Sequence, residues 1–381
     1  MKRALLAAAL VAGALGLRAE EAEIDALIDR GLEAMYNLDY ARSRAAFHQL
    51  SERFPRNPIG PYGRATILWW ELTNEYDEQN DALEKEFLAA VDETVKITRA
   101  MAKDGDPTGV IRLCWGGALG LKGRWDAIGG HWLSAYRAGK QAFNLQSAAI
   151  KANPNMYDAY LGPGVFHYMV ATLPAAAKVI GRMMFGGSKE QGLREIRLTM
   201  EKGRFASTAA RLFLVNLYVN TEKDPATALA LLREGRAQYP HSPFFHYVEL
   251  LILEEARDWP ALEAGAKDYL AKIEAGAPHY LPRFQHMGLF ALANAHRGAG
   301  RLEDARALYS RVVERPARDD RWVSLAYLNR GKTFDLLGRR EEALADYRTV
   351  LKRRDVWQLH DKAQDGVRRP FTAEPPVQRR R

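Results

Sequence analysis

The chain is expected to be all-α, a solenoid of stacked helix hairpins, and three features of its 381 residues point there. A pattern recurs with a period of about 34 to 40 residues, the spacing of a helical repeat. Small residues and aromatics return at fixed offsets inside it, and a glycine followed by a charged stretch separates its halves. The clearest pair is "LFALANAHRGAGRLEDARALYSRVVERP" and "YLNRGKTFDLLGRREEALADYRTVL". With Gly300 aligned on Gly338, Ala293 falls on Gly331, His296 on Phe334, Ala305 on Ala343, Tyr309 on Tyr347 and Val312 on Val350. A small residue in each helix lets two antiparallel helices approach closely, and the aromatic four positions later fills the next gap. The glycine stops the first helix and the acidic run after it starts the second. A single hairpin leaves one face uncovered, so hairpins must stack.

From the N-terminus, "MKR", an apolar run from Ala4 to Leu17 and "LRAEEAE" have the three-part layout of a secretory signal. Residues 1–19 are expected to be removed on export, with Ala19 at the cut, although Leu17 stands where a small residue is usual; an uncleaved anchor is the alternative. The only cysteine, Cys114, lies far from that junction, which excludes lipidation there and any intramolecular disulfide. The repeat array is expected over 20–358.

The repeat pattern extends to "NLDYARSRAAFHQLSERFPRNP" (Asn37 to Pro58). "ATILWWELTNEYDEQNDALEKEFLAAVDETVKITRAMAKDG" reads as two long helices, and "GVIRLCWGGALGLKGRWDA" as the next hairpin. "YRAGKQAFNLQSAAIKANP" reads as a second helix, with Ala142 and a terminal Pro154. The most apolar internal stretch, Tyr160 to Gly187, follows; Gly162, Pro163, Gly164 and Pro174 are expected to interrupt helix, and a new helix to begin near Ser188. Then come "LFLVNLYVNTEKDPATALALLREGRAQYP", with Ala228, Leu232 and Pro240, and "SPFFHYVELLILEEARDWPALEAGAKDYL", with Leu262 where a small residue is usual. Residues 359–381, ending "GVRRPFTAEPPVQRRR", are expected to be a disordered basic tail.

These units resemble the tetratricopeptide repeat (TPR) family, and Gly31, Phe47 and Pro55 fall near the family's places in the first of them. The resemblance implies a right-handed superhelical α-solenoid. A second resemblance covers about 157–220: "GPGVFHYMVATLP", "MMFGGSKEQGLREIRLTMEKG" and "ASTAARLFLVNLY" are similar to the middle segment of the eukaryotic outer-mitochondrial inclusion-body clearance repeat proteins. It implies an irregular helical hairpin inserted over about 157–205, in a scaffold without catalytic residues.

The net charge is +8, but acidic residues are mixed with the basic ones, so no nucleic-acid partner is expected. No "HExxH", "CxxC" pair or phosphate-binding glycine loop is present, and no cofactor or metal is expected. "DEQNDALEKE" has Ala82 where a calcium loop needs glycine. His241 and His246, like His279 and His286, are spaced wrongly for a zinc helix. Cys114 in "CWGG" reads as packed and inert. Trp69, Trp70, Trp115 and Trp125 could stack on sugar rings, yet at helical spacing they read as core.

What remains is a binding surface. In the TPR family the first helices of successive repeats line a concave groove. The resemblance maps that face onto Phe213, Leu217 and Asn220; Tyr247, Leu251 and Glu254; Phe290, Asn294 and Arg297; and Leu328, Lys332 and Asp335. Asn and Arg there suit a peptide backbone or carboxylate, and Phe and Tyr suit apolar contact. Family members that grip chaperone tails carry lysine where this chain has Phe290, which puts that ligand in doubt. The first reading is therefore an exported, non-enzymatic scaffold binding a protein or peptide, in the periplasm or secreted. A membrane-peripheral role through 160–187 is the second, and an enzyme with a site at His167 and Tyr168 the third.

Overall fold

A computed structural model describes residues 2–74, 80–172, 188–314, 321–355 and 357–372, and every regular element among them is helical. The chain divides into two compact units, Met1–Leu217 and Tyr218–Arg381.

In the first unit α1 (Lys2–Tyr36) packs on α2 (Tyr40–Arg53), and α3 (Ile59–Asn74) pairs with α4 (Asp81–Met101). Asp39 and Asn80 start α2 and α4 by accepting the backbone N–H of Arg42 (3.1 Å) and Leu83 (3.0 Å). The small-residue logic holds literally here: a Cβ on Gly31 would lie 2.7 Å from the Phe47 ring and one on Gly63 only 2.2 Å from it. Phe47 therefore fills a slot that two glycines leave open.

The stretch after Gly109 differs from the sequence reading. It forms one helix, α5 (Val110–Ile128), paired with α6 (Trp132–Ala152), rather than a hairpin of its own. Its glycines lie inside the helix because neighbours come too close for side chains: a Cβ on Gly117 would lie 2.6 Å from Tyr62, and one on Gly116 2.9 Å from Gln146. Tertiary packing thus overrides the low helix propensity of glycine.

The inserted hairpin is α7 (Leu161–Thr172) against α8 (Lys189–Lys202), with Ser188 capping α8. Gly162, Pro163 and Gly164 do not interrupt helix as expected. Pro163 falls in the first turn of α7, where a missing N–H costs no intrahelical bond. Pro174 and the rest of 173–187 lie outside the described residues. Asp158 locks the far end of the hairpin: its carboxylate, 4% exposed, accepts the backbone N–H groups of Arg204 (3.1 Å), Phe205 (2.8 Å) and Ala206 (2.7 Å). Phe205 then packs with Leu27 and Ile28, and Arg204 holds Asp29 bidentately at 2.7 and 3.0 Å. The unit division falls within α9 (Ser207–Asn220).

The second unit contains α10 (Pro225–Gln238), α11 (Pro243–Glu255), α12 (Trp259–Glu274), α13 (Gln285–Gly298), α14 (Leu302–Val313), α15 (Arg321–Leu336), α16 (Arg340–Lys352) and α17 (Leu359–Arg368). Each packs on the next between α10 and α17, and α11, α13, α15 and α17 also touch in a row, as first helices of successive hairpins do. Ala305, Tyr309 and Val312 are fully buried, as are Ala343, Tyr347 and Val350. In α12 the sizes are reordered: Leu262 and Ala266 stand where α14 has Ala305 and Tyr309, and Tyr269 stands where it has Val312, all fully buried. The same volume is filled in another order, which is why that repeat reads weakly.

The expectation of a disordered tail from 359 is corrected. Leu359–Arg368 is a helix whose Leu359 and Ala363 are fully buried and whose Gly366 sits against Tyr347. Leu359, Ala363, Gly366 and Val367 recur three and four apart and make a narrow apolar stripe. It covers the face that the last hairpin would otherwise leave to water. Among the described residues, no helix is long and apolar enough to cross a membrane.

Candidate binding surface

The inner row of the second unit gathers part of the expected surface. Asn294, fully buried on α13, donates to Glu254 Oε2 on α11 at 2.8 Å. Its Oδ1 accepts the Tyr309 hydroxyl and, at 3.4 Å, Asn329 Nδ2 of α15. Arg297 Nε donates to the Tyr309 hydroxyl at 3.3 Å. Burial pushes Tyr309 up to about 12, so it stays a neutral donor. Burial also raises the Glu254 carboxyl, while Arg297, the Asn294 amide and Lys332 pull it back. A polar network thus crosses three first helices, with two cations at its rim.

One turn further along α15, Asp335 accepts the Tyr347 hydroxyl at 2.8 Å and Arg340 Nη1 at 2.8 and 3.1 Å. The backbone N–H of Phe371 donates to Asp335 Oδ2 at 2.8 Å. The Phe371 ring lies 5.2 Å from Lys332 Nζ and 6.0 Å from Arg297 Cζ, within cation–π range. Arg297, Lys332 and Asp335, three positions singled out in the sequence, therefore converge on one segment of the same chain. The sequence reading missed Phe371 because it lies in a stretch rich in Pro and Arg.

Asn294 is fully buried, and several of the other expected positions likewise do not face outward. Tyr247 (5% exposed) and Phe290 (4%) pack edge-on against Trp322 at 5.2 and 5.8 Å, and Leu328 is buried in the core with Tyr347 and Leu359. They support the inner face rather than form it. The physical reason is the size of those rings: first-helix aromatics in this unit fill the gap between successive hairpins. Leu251 is exposed on α11. Phe213, Leu217 and Asn220 lie on α9; Leu217 is buried, Phe213 half-buried and Asn220 exposed.

Around His167, Nδ1 lies 2.7 Å from Glu195 Oε2, and the ring meets Phe143 edge-on at 5.5 Å. Gln191 Nε2 donates to the other Glu195 oxygen at 2.9 Å. A carboxylate does stand beside His167, but the arrangement is a buried histidine, held against an aromatic ring, paired with a half-buried carboxylate. Tyr168 is fully buried. Among the described residues, no group of three or more His, Cys, Asp or Glu is placed to hold a metal. Cys114 is buried, and its thiol is pushed up by burial and then by Asp106 and Asp158. Trp69 is buried, and Trp125 donates to Glu84 at 2.9 Å while packing on Phe87, so both serve the core rather than a sugar.

No family model and no curated protein matches the chain. Among solved structures it is similar to the TPR domain of P58(IPK), at 14% identity over 91% of this chain and 97% of that one, with a TM-score of 0.25. It is also similar to a chain of the APC/C hetero-tetramer Cut9–Hcn1, at 12% identity over 90% of this chain and 70% of that one, with a TM-score of 0.29.

Proposed function

We propose that this chain is an exported, non-enzymatic helical-repeat scaffold that binds an extended peptide or a protein segment along the row α11, α13, α15. The supporting observation is the buried network of Glu254, Asn294, Tyr309 and Asn329 with Arg297 and Lys332 at its edge. The network joins four helices, α11, α13, α14 and α15, and is itself buried; it holds Arg297 through the Tyr309 hydroxyl, so a ligand meeting that cation spends little entropy on arranging it. The cations suit a carboxylate or an aromatic face, and Asp335 suits a backbone N–H. Export rests on the layout of residues 1–19 and places the protein in the periplasm or outside the cell. The test is capture from envelope extract by a photo-crosslinker placed on α15 beside Lys332. A defined crosslinked partner lost on Arg297→Glu and Lys332→Glu is the expected outcome; an unchanged crosslink pattern refutes the surface.

One observation favours a second reading, peripheral contact with lipid. Trp132 (72% exposed), Leu133 (62%), Tyr136 (41%) and Met169 (53%) present large apolar side chains to solvent on α6 and α7 of the first unit. Aromatic and aliphatic groups beside basic ones are suited to a headgroup boundary. Flotation of the mature protein with anionic vesicles, lost on Trp132→Ala with Leu133→Ala, would support it; a wholly soluble protein would end it.

A further inference from the structure

A segment of the chain itself already sits against Arg297, Lys332 and Asp335 of α13 and α15. After α17 the backbone turns extended at Arg369 (φ −145°, ψ 142°), as a residue before proline prefers. Pro370 carries the chain on to Phe371, whose N–H and ring are taken by Asp335, Lys332 and Arg297. Arg340 fixes the approach, donating to the carbonyls of Gly366 and Val367 at 2.8 Å each while pairing with Asp335. These contacts are of the kind a peptide bound in trans would make: an extended backbone, one N–H to a carboxylate, and one aromatic ring across two cations.

We propose that residues Arg369–Thr372 are an internal plug, and that the partner is an extended peptide segment presenting an aromatic residue at the place of Phe371. This rests on the groove reading above and deepens it. The plug is tethered directly to α17, so its effective concentration at the groove is on the order of millimolar. For a segment whose own affinity is about 100 micromolar, that tether keeps the groove about nine-tenths closed and weakens a competing peptide roughly tenfold. The partner must therefore outcompete the plug or arrive with further contacts.

The test uses a fluorescein-labelled peptide of sequence RRPFTAE, residues 368–374, titrated by anisotropy into the full chain and into its Phe371→Ala variant. The variant is expected to bind the peptide roughly tenfold more tightly. The gain should vanish with the peptide RRPATAE and with Lys332→Glu added to the variant. Phe371 is only partly buried, so the fold should survive its loss, and thermal melts of both chains check this. Equal affinity for both chains, lost on Arg297→Glu, overturns the plug and leaves the groove reading standing. Binding to neither chain also overturns the plug, and the groove reading is then judged by its crosslinking experiment alone.

Discussion

His246 makes the second unit acid-sensitive, and the size of the effect follows from its surroundings. The imidazole is 1% exposed, with Nδ1 2.9 Å from the Tyr280 hydroxyl and its ring edge-on to Tyr269 at 5.1 Å. Burial first, then Arg236 and Lys272, pull its pKa from 6.5 to about 4, against the opposite pull of Asp268 and Glu249. A histidine held neutral in the fold but free to protonate when unfolded stabilises the protein above pH 6.5, and that stability is lost as pH falls toward 4. A tenfold difference in proton affinity between the folded and unfolded chain corresponds to about 1.4 kcal/mol, so lowering the pH from 7.5 to 5 should cost about 2 kcal/mol through this residue. The assay is urea unfolding followed by circular dichroism at several pH values and fixed salt, on the natural chain and on His246→Gln. The glutamine chain is expected to be less stable at neutral pH but to lose about 2 kcal/mol less on acidification. If both chains lose the same amount, His246 is not the group that titrates, and the reasoning fails.

Three further outcomes are expected. Cys114, buried with its thiol pushed up, should resist alkylation in the native protein and react once only when the chain is unfolded, as read by mass spectrometry. Asp158→Ala strips partners from three backbone N–H groups and should cost about 1–3 kcal/mol for each that stays buried, with Asp158→Asn recovering part of the loss in thermal melts. Gly331→Val places a Cβ 2.8 Å from the Tyr347 ring and should destabilise by about 1–3 kcal/mol, with Tyr347→Leu in the same chain recovering part of it if crowding is the cause.

Local pattern was sufficient for most of the helices. Residues that cap, such as Asp39, Asn80, Ser188, Asp224 and Ser242, act within three positions of themselves, so their effect is written in adjacent sequence. The paired small and aromatic positions of the last two hairpins were legible for the same reason: one helix packs on its neighbour through residues at fixed spacing. Asn294, Arg297, Lys332 and Asp335 could be picked out because the repeat assigns a face to each first-helix position.

Tertiary structure decided what depends on distant partners. Whether Phe290 and Tyr247 face a groove or a core was settled by Trp322, which fills the space beside both rings. Whether "CWGGALG" bends or stays straight was settled by Tyr62 and Gln146, which come too close for anything but glycine. The helix at Leu359–Arg368 exists because Tyr347 and Leu328 offer it an apolar face to cover. Phe371 found its place through Asp335, thirty-six residues away. Periodicity is a property of neighbours along the chain, whereas burial and pairing between remote residues depend on the path of the whole backbone, and only the folded molecule contains that path.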